Sequence, residues 1–300
     1  MSIGTRLRAA ALSLILILAG TTRAWAGEGM FSRAYTTDLT PAGHFELEQV
    51  VRTREGRAFG QYDATDFRSE FEYGVTDNFQ ASLYLNTNRM HATRTSDDDD
   101  ELGQTGFTRH NFTVQSVSAE FVYRLLSPYK NRHGWGLAVY LEPEYDFHDL
   151  HNGLRYAPGT FALETRVIVQ KNFMDDRLIM AYNLVLEAES IRFAHQPDTN
   201  SELDWNNELG VTYRVAPKLF VGAEFRNHNE YGNFTTHEHS VFWAGPAIHY
   251  ASRNCWATLG WLRQFAGNPG HDEEGRDIGN TLFLRSHERN EVTFKLGLPF

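Results

Sequence analysis

Strict alternation of apolar and polar residues along unusually long segments is the feature that most constrains how this chain can fold. Over residues 135–147 every odd position is apolar or proline, and the even positions from 142 to 146 carry carboxylates. The same period of two recurs over residues 178–189 and 203–215. Such alternation indicates two-faced β-strands. Globular strands average about five or six residues, whereas a tilted strand that crosses a bilayer needs about 9–11.

Twelve segments of this kind follow residue 43 and fill most of the remaining chain. The predicted strands cover residues 43–55, 60–74, 78–92, 109–126, 135–148, 160–172, 177–191, 202–216, 218–228, 240–251, 255–266 and 282–300. An even number of antiparallel strands is typical of bacterial outer-membrane barrels. We therefore predict an all-β protein, a single antiparallel transmembrane β-barrel of about 12 strands over residues 43–300.

The connections between these segments alternate in length, which supports the same prediction. Short connections lie at 74–77, 127–134, 173–176, 216–217 and 252–254. Long polar connections lie at 93–108, 149–159, 192–201, 229–239 and 267–280. Outer-membrane barrels combine short periplasmic turns with longer extracellular loops. A soluble sandwich has no reason to keep this parity.

The first 26 residues have the form of a secretory signal peptide. Two arginines precede the apolar stretch 12–19, and Ala24 and Ala26 frame a small-x-small cleavage site. We expect cleavage after Ala26 and export to the outer membrane of a Gram-negative cell. Residues 27–42 are expected to form a short N-terminal segment in the periplasm, too short to be a plug domain.

Composition excludes several other classes of protein. The formal net charge is -10, which argues against nucleic acid as a partner because nucleic-acid binding needs a basic surface. The mean hydropathy is -0.46, and the leader holds the only unbroken apolar stretch, so a helical membrane protein is excluded. With 41% hydrophobic and 13% aromatic residues the chain is too apolar to be disordered. The single cysteine, Cys255, excludes a disulfide framework.

The C-terminal residues alternate up to a final phenylalanine. Phe294, Leu296, Leu298 and Phe300 share one face of the last predicted strand, opposite Lys295 and Gly297. This pattern resembles the C-terminal signal of outer-membrane barrels that the barrel-assembly machinery reads. As the edge of a soluble sheet, the same segment would promote aggregation.

Six segments of the chain carry a family resemblance: EYGVTDNFQASLYLN (72–86), YRLLSPYKN (123–131), YLEPEYDF (140–147), QKNFMDDRLIMAYNL (170–184), AGPAIHY (244–250) and FKLGLPF (294–300). They are similar to an uncharacterised family of proteobacterial outer-membrane β-barrel proteins, a domain of unknown function. The resemblance implies the barrel fold and the outer membrane. In that location we expect the lipid bilayer and lipopolysaccharide as partners. It implies no catalytic or ligand-binding residues.

In such a barrel the apolar residues face hydrocarbon and the polar residues face the lumen. The predicted lumen lining has twelve Glu against seven basic residues. It consists of Glu46, Glu48, Arg52, Arg68, Glu70, Glu72, Glu120, Arg124, Glu142, Glu144, Glu164, Arg166, Glu187, Glu189, Glu208, Arg214, Glu224, Arg226 and Lys295.

This charged lumen leaves two functions open. In the first, which we favour, the barrel is a porin-like passive channel for small solutes, and its excess of carboxylates favours cations. In the alternative, long Glu and Arg side chains pair across the bore and fill it. The barrel would then be a closed structural or surface-interaction protein that acts through acidic extracellular loops.

The residues that enzymes require are sparse. The cluster His237-Glu238-His239-Ser240 could be a metal pair or part of a hydrolase, but no partner motif accompanies it, and we interpret it as a polar loop that runs into a strand. The acidic run 97–101 could hold divalent cations near lipopolysaccharide, but a solvated loop is the simpler interpretation. We expect no enzyme activity, no cofactor and no metal.

Overall fold

The computed structural model describes residues 29–57, 60–93, 108–147, 150–151, 154–155, 160–192, 199–268, 282–284 and 286–300. The predicted signal peptide and the acidic run 97–101 lie outside these residues. A search of the described residues for an apolar helix long enough to span a membrane finds none.

The secondary structure of the described residues consists of twelve long antiparallel strands and one small hairpin whose two strands have two residues each. The strands are β1 (Phe45–Glu55), β2 (Gln61–Thr76), β3 (Phe79–Thr93), β4 (Thr108–Leu126), β5 (Trp135–Asp146), β6 (Leu150–His151), β7 (Leu154–Arg155), β8 (Thr160–Phe173), β9 (Leu178–Arg192), β10 (Thr199–Ala216), β11 (Leu219–Gly232), β12 (Thr236–Ala251), β13 (Trp256–Asn268) and β14 (Asn290–Pro299). The small hairpin is β6–β7 and pairs only with itself.

The twelve long strands close into one barrel. Each pairs with its neighbours along the chain, and β1 pairs with β14, so that Leu47 lies opposite Leu298. Closure leaves none of these twelve described strands at the edge of a sheet, as a bilayer requires. The predicted antiparallel barrel of about 12 strands is confirmed.

The alternation in the sequence places polar side chains inside the barrel and apolar side chains on its outer surface. On β3, Gln80, Ser82 and Tyr84 are buried in the barrel, whereas Leu83 and Leu85 are 64% and 46% exposed on the outer surface. Exposed apolar side chains recur on every long strand, and buried carboxylates and amides recur on the inner face. An apolar outer belt around a polar interior is the arrangement of a barrel in lipid.

Five short connections lie at the end of the barrel where β1 begins and β14 ends. They span residues 77–78, 127–134, 174–177, 217–218 and 252–255. We assign this end to the periplasm, because short turns face the periplasm in outer-membrane barrels. The opposite end is extracellular and carries the longer connections after β3, β5 and β13.

Two predicted boundaries at the extracellular end are wrong. A long loop was expected at 229–239, but the structure has a tight turn at 233–235. The reason is that β11 and β12 stay paired through their polar residues. Asn233 and Phe234 adopt positive φ angles in this turn. The last strand was expected from residue 282, but β14 begins at Asn290. Residues 282–284 and 286–288, here called the mouth segment, fold into the extracellular opening instead.

The N-terminal segment also differs from its expected place in the periplasm. Residues 29–42, here called the inner strap, lie inside the barrel, and Phe31, Thr36 and Thr37 are completely buried. The strap is short, but it runs along the inside of the wall and contacts strands on different sides of the barrel. Its polar residues find partners there that a segment in the periplasm would lack.

Candidate functional site

The inner strap runs along the inside of the wall, and polar side chains of the wall bind its backbone. The amide of Tyr35 donates to Asn183 Oδ1 on β9 (2.6 Å), that of Thr37 to Gln170 Oε1 on β8 (2.7 Å) and that of Thr40 to Gln80 Oε1 on β3 (2.8 Å). A single extended segment has no neighbouring strand to satisfy its backbone. The inward amides of the wall take that role and fix the path of the strap.

Glycines in the wall make room for the strap. A Cβ atom added to any of the four would lie less than 3 Å from a strap atom: at Gly260 from Ser32, at Gly210 from Phe31, at Gly136 from Thr37, and at Gly74 from the carbonyls of Thr40 and Pro41. A glycine within a strand often marks a close approach of other backbone. The four lie on β13, β10, β5 and β2, so the strap follows the wall around most of the barrel.

One carboxylate ties the strap to the extracellular half of the lumen. Arg33 binds Glu291 on β14 through two nitrogens, and its Nε donates to Oε1 at 2.7 Å. Arg52 Nε lies 3.6 Å from the same oxygen, and Arg226 Nη1 lies 4.0 Å from Oε2. Glu291 is therefore shared by three guanidinium groups, which offsets the cost of burying its charge.

Further ion pairs lie along the inner face of the wall. Arg68 Nη2 lies 2.7 Å from Glu142 Oε1, and Lys295 Nζ lies 3.8 Å from Glu48 Oε1. Arg166 contacts both Glu164 (2.5 Å) and Glu208 (3.0 Å). These long side chains narrow the bore between the strap and the wall.

A polar cavity remains between the strap and this network, with a volume of about 200 Å³. Its ionisable lining contains six carboxylates and five basic groups. The carboxylates are those of Glu48, Glu70, Glu142, Glu144, Glu164 and Glu187; the basic groups are Arg33, Arg52, Arg68, Arg166 and Lys295. Tyr35 and Tyr84 also line it. The cavity is large enough for several water molecules.

The family of the chain follows from residues 23–300, which match the model of a family of unknown function, DUF6662. The chain belongs to this family. No curated protein matches the sequence. The membership agrees with the resemblance seen in the sequence and brings no functional residues with it.

Two solved structures share the barrel at low sequence identity. The COG4313 outer membrane channel from Pseudomonas putida F1 is 11% identical, with a TM-score of 0.57 over 88% of this chain and 98% of that one. The beta domain of the Bordetella autotransporter BrkA is 12% identical, with a TM-score of 0.51 over 86% and 99% of the two chains. The shared fold and the apolar outer belt identify an outer-membrane β-barrel.

In this DUF6662 barrel the alternation of the strands places all nineteen predicted lumen residues on the inner face. Most contribute to the ion pairs or to the cavity. Arg124 and Arg214 lie at the periplasmic rim, where each donates to a backbone carbonyl: Arg124 to Thr37 (3.1 Å) and Arg214 to Asp175 (3.1 Å). Glu46 lies near the same rim and accepts from Trp256 Nε1 at 2.6 Å.

Sequence reasoning missed three components of the lumen. Glu291 was assigned to a strand but not to the lining, Arg33 was assigned to the periplasm, and the mouth segment was read as strand. Phe283 of the mouth segment packs against Val241, Trp243 and Leu262 inside the opening. Two features of the sequence could have indicated a segment inside the barrel. They are the glycines at inward-facing positions of the strands and the Asn and Gln side chains that share the inner face with the carboxylates.

The motif His237-Glu238-His239-Ser240 is divided by the wall. Ser240 lies on the outer side, where its hydroxyl donates to Asn229 Oδ1 (2.7 Å) and lies 2.9 Å from His237 Nε2. His239 is buried on the inner side. In the catalytic triad of a serine hydrolase, the third residue forms a hydrogen bond with the histidine. Here the third residue, Asn229, forms its hydrogen bond with the serine instead.

At the periplasmic end of the strap, burial raises the pKa of Asp38 above its ordinary value. Hydrogen bonds from Tyr129 and Thr36, and the nearby charge of Arg124, act in the opposite direction but do not cancel the cost of burial. Asp176 lies close enough to add repulsion. Burial at the end of the strap thus favours the protonated form of Asp38.

Proposed function

We propose that this protein is a narrow passive channel for water, small cations and small polar solutes across the outer membrane. The observation that carries the proposal is the polar cavity at mid-lumen, lined by eleven ionisable groups. A barrel that served only as a scaffold could fill this space with apolar side chains at lower cost, because buried charges need compensation. A lining of charged side chains can replace part of the hydration of a passing ion.

The inner strap sets the width of the proposed passage. Its hydrogen bonds to β3, β8 and β9 hold it against the wall, and Arg33 holds it in the bore through Glu291. Conduction therefore depends on the space beside the strap or on movement of the strap. The similar barrel from Pseudomonas putida is an outer membrane channel, which supports this proposal.

The cation preference that we propose is weaker than the sequence suggests with its twelve Glu against seven basic residues on the inner face. The strap contributes Arg33 to the cavity, so its lining carries five basic groups against six carboxylates. Glu70 lies directly opposite Glu48 on β1 and close to Glu120, so three carboxyl groups share one side of the bore. Low-dielectric walls strengthen such a field.

The closed barrel is the second candidate function, and a specific observation favours it. The inner strap, the mouth segment and the ion pairs all lie within the lumen and narrow it. In this alternative the barrel has no conducting state, and its extracellular connections carry the function.

Bilayer conductance of refolded mature protein separates the two candidates. The matched variant lacks residues 29–40; its barrel can still close, because β1 starts at Phe45 and pairs with β14. We expect a small conductance from the parent protein and a severalfold larger one from the variant. Folding of both is checked by the shift in gel mobility that heating produces. A silent parent with a conducting variant would support the closed barrel, and two silent proteins would contradict the channel altogether.

The proposal includes export and processing. The signal peptide is removed after Ala26, the barrel-assembly machinery inserts the barrel, and the mature protein contacts lipopolysaccharide. N-terminal sequencing of protein purified from outer membranes should start at Gly27. We propose no catalytic role for the outward pair His237 and Ser240.

A further inference from the structure

Three imidazoles and one carboxylate converge at the extracellular end of the lumen. His228 and Glu230 are alternate residues of β11, and His239 lies opposite Glu230 on β12. His287 reaches the same point from the mouth segment, and its ring centre lies 4.7 Å from that of His239. The four residues come from three different parts of the chain, yet their side chains share one small volume.

The donor atoms are close enough to share one metal ion. His239 Nε2 lies 2.6 Å from His287 Nε2 and 3.3 Å from Glu230 Oε2, and His228 Nε2 lies 3.7 Å from Glu230 Oε2. One ligand atom from each residue lies within 4.8 Å of the others. Tetrahedral zinc with bonds of 2.0–2.1 Å requires donors about 3.3–3.4 Å apart. The three donor distances given above, 2.6, 3.3 and 3.7 Å, bracket that spacing.

Neighbouring groups orient the donors. His228 Nδ1 lies 2.8 Å from Asn206 Oδ1 and 3.7 Å from Asp204 Oδ2. A hydrogen bond from Nδ1 directs the lone pair of Nε2 toward the cluster, which is how metal-binding histidines are usually supported. Phe283 stacks on His239 with ring centres 4.4 Å apart and shields the cluster from the opening.

The type of ion follows from the donor set. Imidazole nitrogens suit zinc, copper and nickel, whereas calcium and magnesium take oxygen ligands. We propose that His228, Glu230, His239 and His287 bind one divalent transition-metal ion of the zinc class, which ties the mouth segment to β11 and β12. This inference requires no conduction through the barrel and stands if the proposed channel fails.

Titration of the refolded mature protein, without a histidine tag, tests the site directly. The probe is Zn²⁺ in a calorimeter, and Co²⁺ reports coordination geometry through its visible absorption. We expect saturable binding of one ion per barrel. Replacing Asn206 by Ala should weaken binding about 10- to 100-fold, as loss of an orienting group does. His287→Ala or His239→Ala should weaken it further.

His237→Ala is the matched control, because this histidine is only two residues from His239 but lies outside the cluster. It should bind Zn²⁺ like the parent. The heat-dependent gel shift confirms that each variant is folded. Absence of 1:1 binding by the folded parent would overturn the proposal, and so would an equal loss in the His237 variant.

A second measurement tests whether the bound ion holds the mouth segment against β11 and β12. Leu284 is 6% exposed, so a cysteine there, with Cys255 replaced by serine, should react slowly with a maleimide. Chelation of the metal should accelerate labelling at least tenfold in the parent and leave the His287→Ala rate unchanged. If chelation leaves the parent rate unchanged, the ion does not hold the segment, and that part of the proposal is wrong.

Discussion

At the scale of single residues, the absence of a side chain at four wall positions determines where the inner strap can lie. Gly74 is the most restrictive, because an added Cβ would meet the backbone carbonyls of Thr40 and Pro41. Backbone atoms cannot rotate away as the Phe31 ring beside Gly210 can. The path of the strap is therefore fixed most firmly where it joins β1.

We predict that Gly74→Ala displaces the strap and leaves the barrel intact. Overpacking costs about 1–3 kcal/mol, so exposure of the strap should rise by roughly one to two orders of magnitude. The reporter is a cysteine at the fully buried Thr36, in a chain whose Cys255 is serine. Its maleimide labelling should be slow in the parent and fast in the Gly74 variant. Val75→Ala, one residue along on the exposed face, is the control; equal labelling of all three chains would refute the prediction.

Asp38 gives a prediction about pH. Its folded pKa is raised above the ordinary value of 3.8, so the folded barrel binds this proton more tightly than the unfolded chain does. Stability from this group is thus gained as pH falls through the raised pKa and lost as pH rises. At a pH above both the folded and the unfolded pKa of Asp38, the ionised carboxylate lowers the free energy of unfolding. The loss is about 1.4 kcal/mol for each unit by which folding raises the pKa.

Asp38→Asn should therefore raise the temperature at which the gel shift occurs at neutral pH, because the amide can still accept from Tyr129 and Thr36. The gain over the parent should shrink as the pH is lowered below the raised pKa. A gain that stays constant with pH would show that Asp38 is not the titrating group.

At the scale of elements, β1 and β14 close the barrel and carry the assembly prediction. Phe300 donates its amide to the carbonyl of Phe45 (2.8 Å) and accepts from the Phe45 amide (3.1 Å). Its ring lies 5.9 Å from that of Phe45 and 6.3 Å from that of Phe71. The last residue thus contributes both a backbone pair and an aromatic cluster at the seam.

We predict that Phe300→Ser lowers the amount of protein in the outer membrane severalfold, because it removes the aromatic contacts and the apolar end of the strand. Phe300→Tyr keeps the ring and should assemble normally. Immunoblots of outer-membrane fractions measure both. Normal levels of the serine variant would mean that Phe300 serves only as an anchor at the interface.

The long strands were predictable because their period of two is a local property. The interior was less predictable, since it depends on contacts between distant residues: Tyr35 binds Asn183, which is 148 positions away. The threonines and serines of the strap suit solvent as well as they suit a polar lumen. Similarly, the polar residues at 229–239 suit a loop as well as paired strands above the hydrocarbon. His287 joins the histidine cluster only because the mouth segment folds inward.

At the scale of the whole molecule, charge balance along the lumen is the property that would select ions in the proposed channel. The sequence alone counts twelve Glu against seven basic residues on the inner face. Folding brings Arg33 into the bore and places only some of these groups around the cavity, whose net formal charge is 5 - 6 = -1. In the proposed channel, selectivity would depend on this small difference in charge, and few substitutions should change it.

The last prediction uses that small difference. Glu142 binds Arg68 (2.7 Å) and Ser118 (2.5 Å), whereas Glu144 accepts from Ser116. Changing both to Gln leaves four carboxylates and five basic groups, and the formal charge of the cavity becomes 5 - 4 = +1. The refolded parent should therefore prefer cations, and the double variant should lose or invert that preference.

Glu144→Gln alone should weaken the preference with little loss of stability. Glu142→Gln should weaken it more and destabilise the barrel by about 3–5 kcal/mol, because Arg68 loses its buried partner. Asp63→Asn, at an exposed position, is the control and should have no effect. Reversal potentials across a salt gradient measure the preference, which should be larger at low salt because the Debye length is about 10 Å at 0.1 M. Anion preference in the parent, or an unchanged potential in the double variant, would contradict the charge assignment of the cavity.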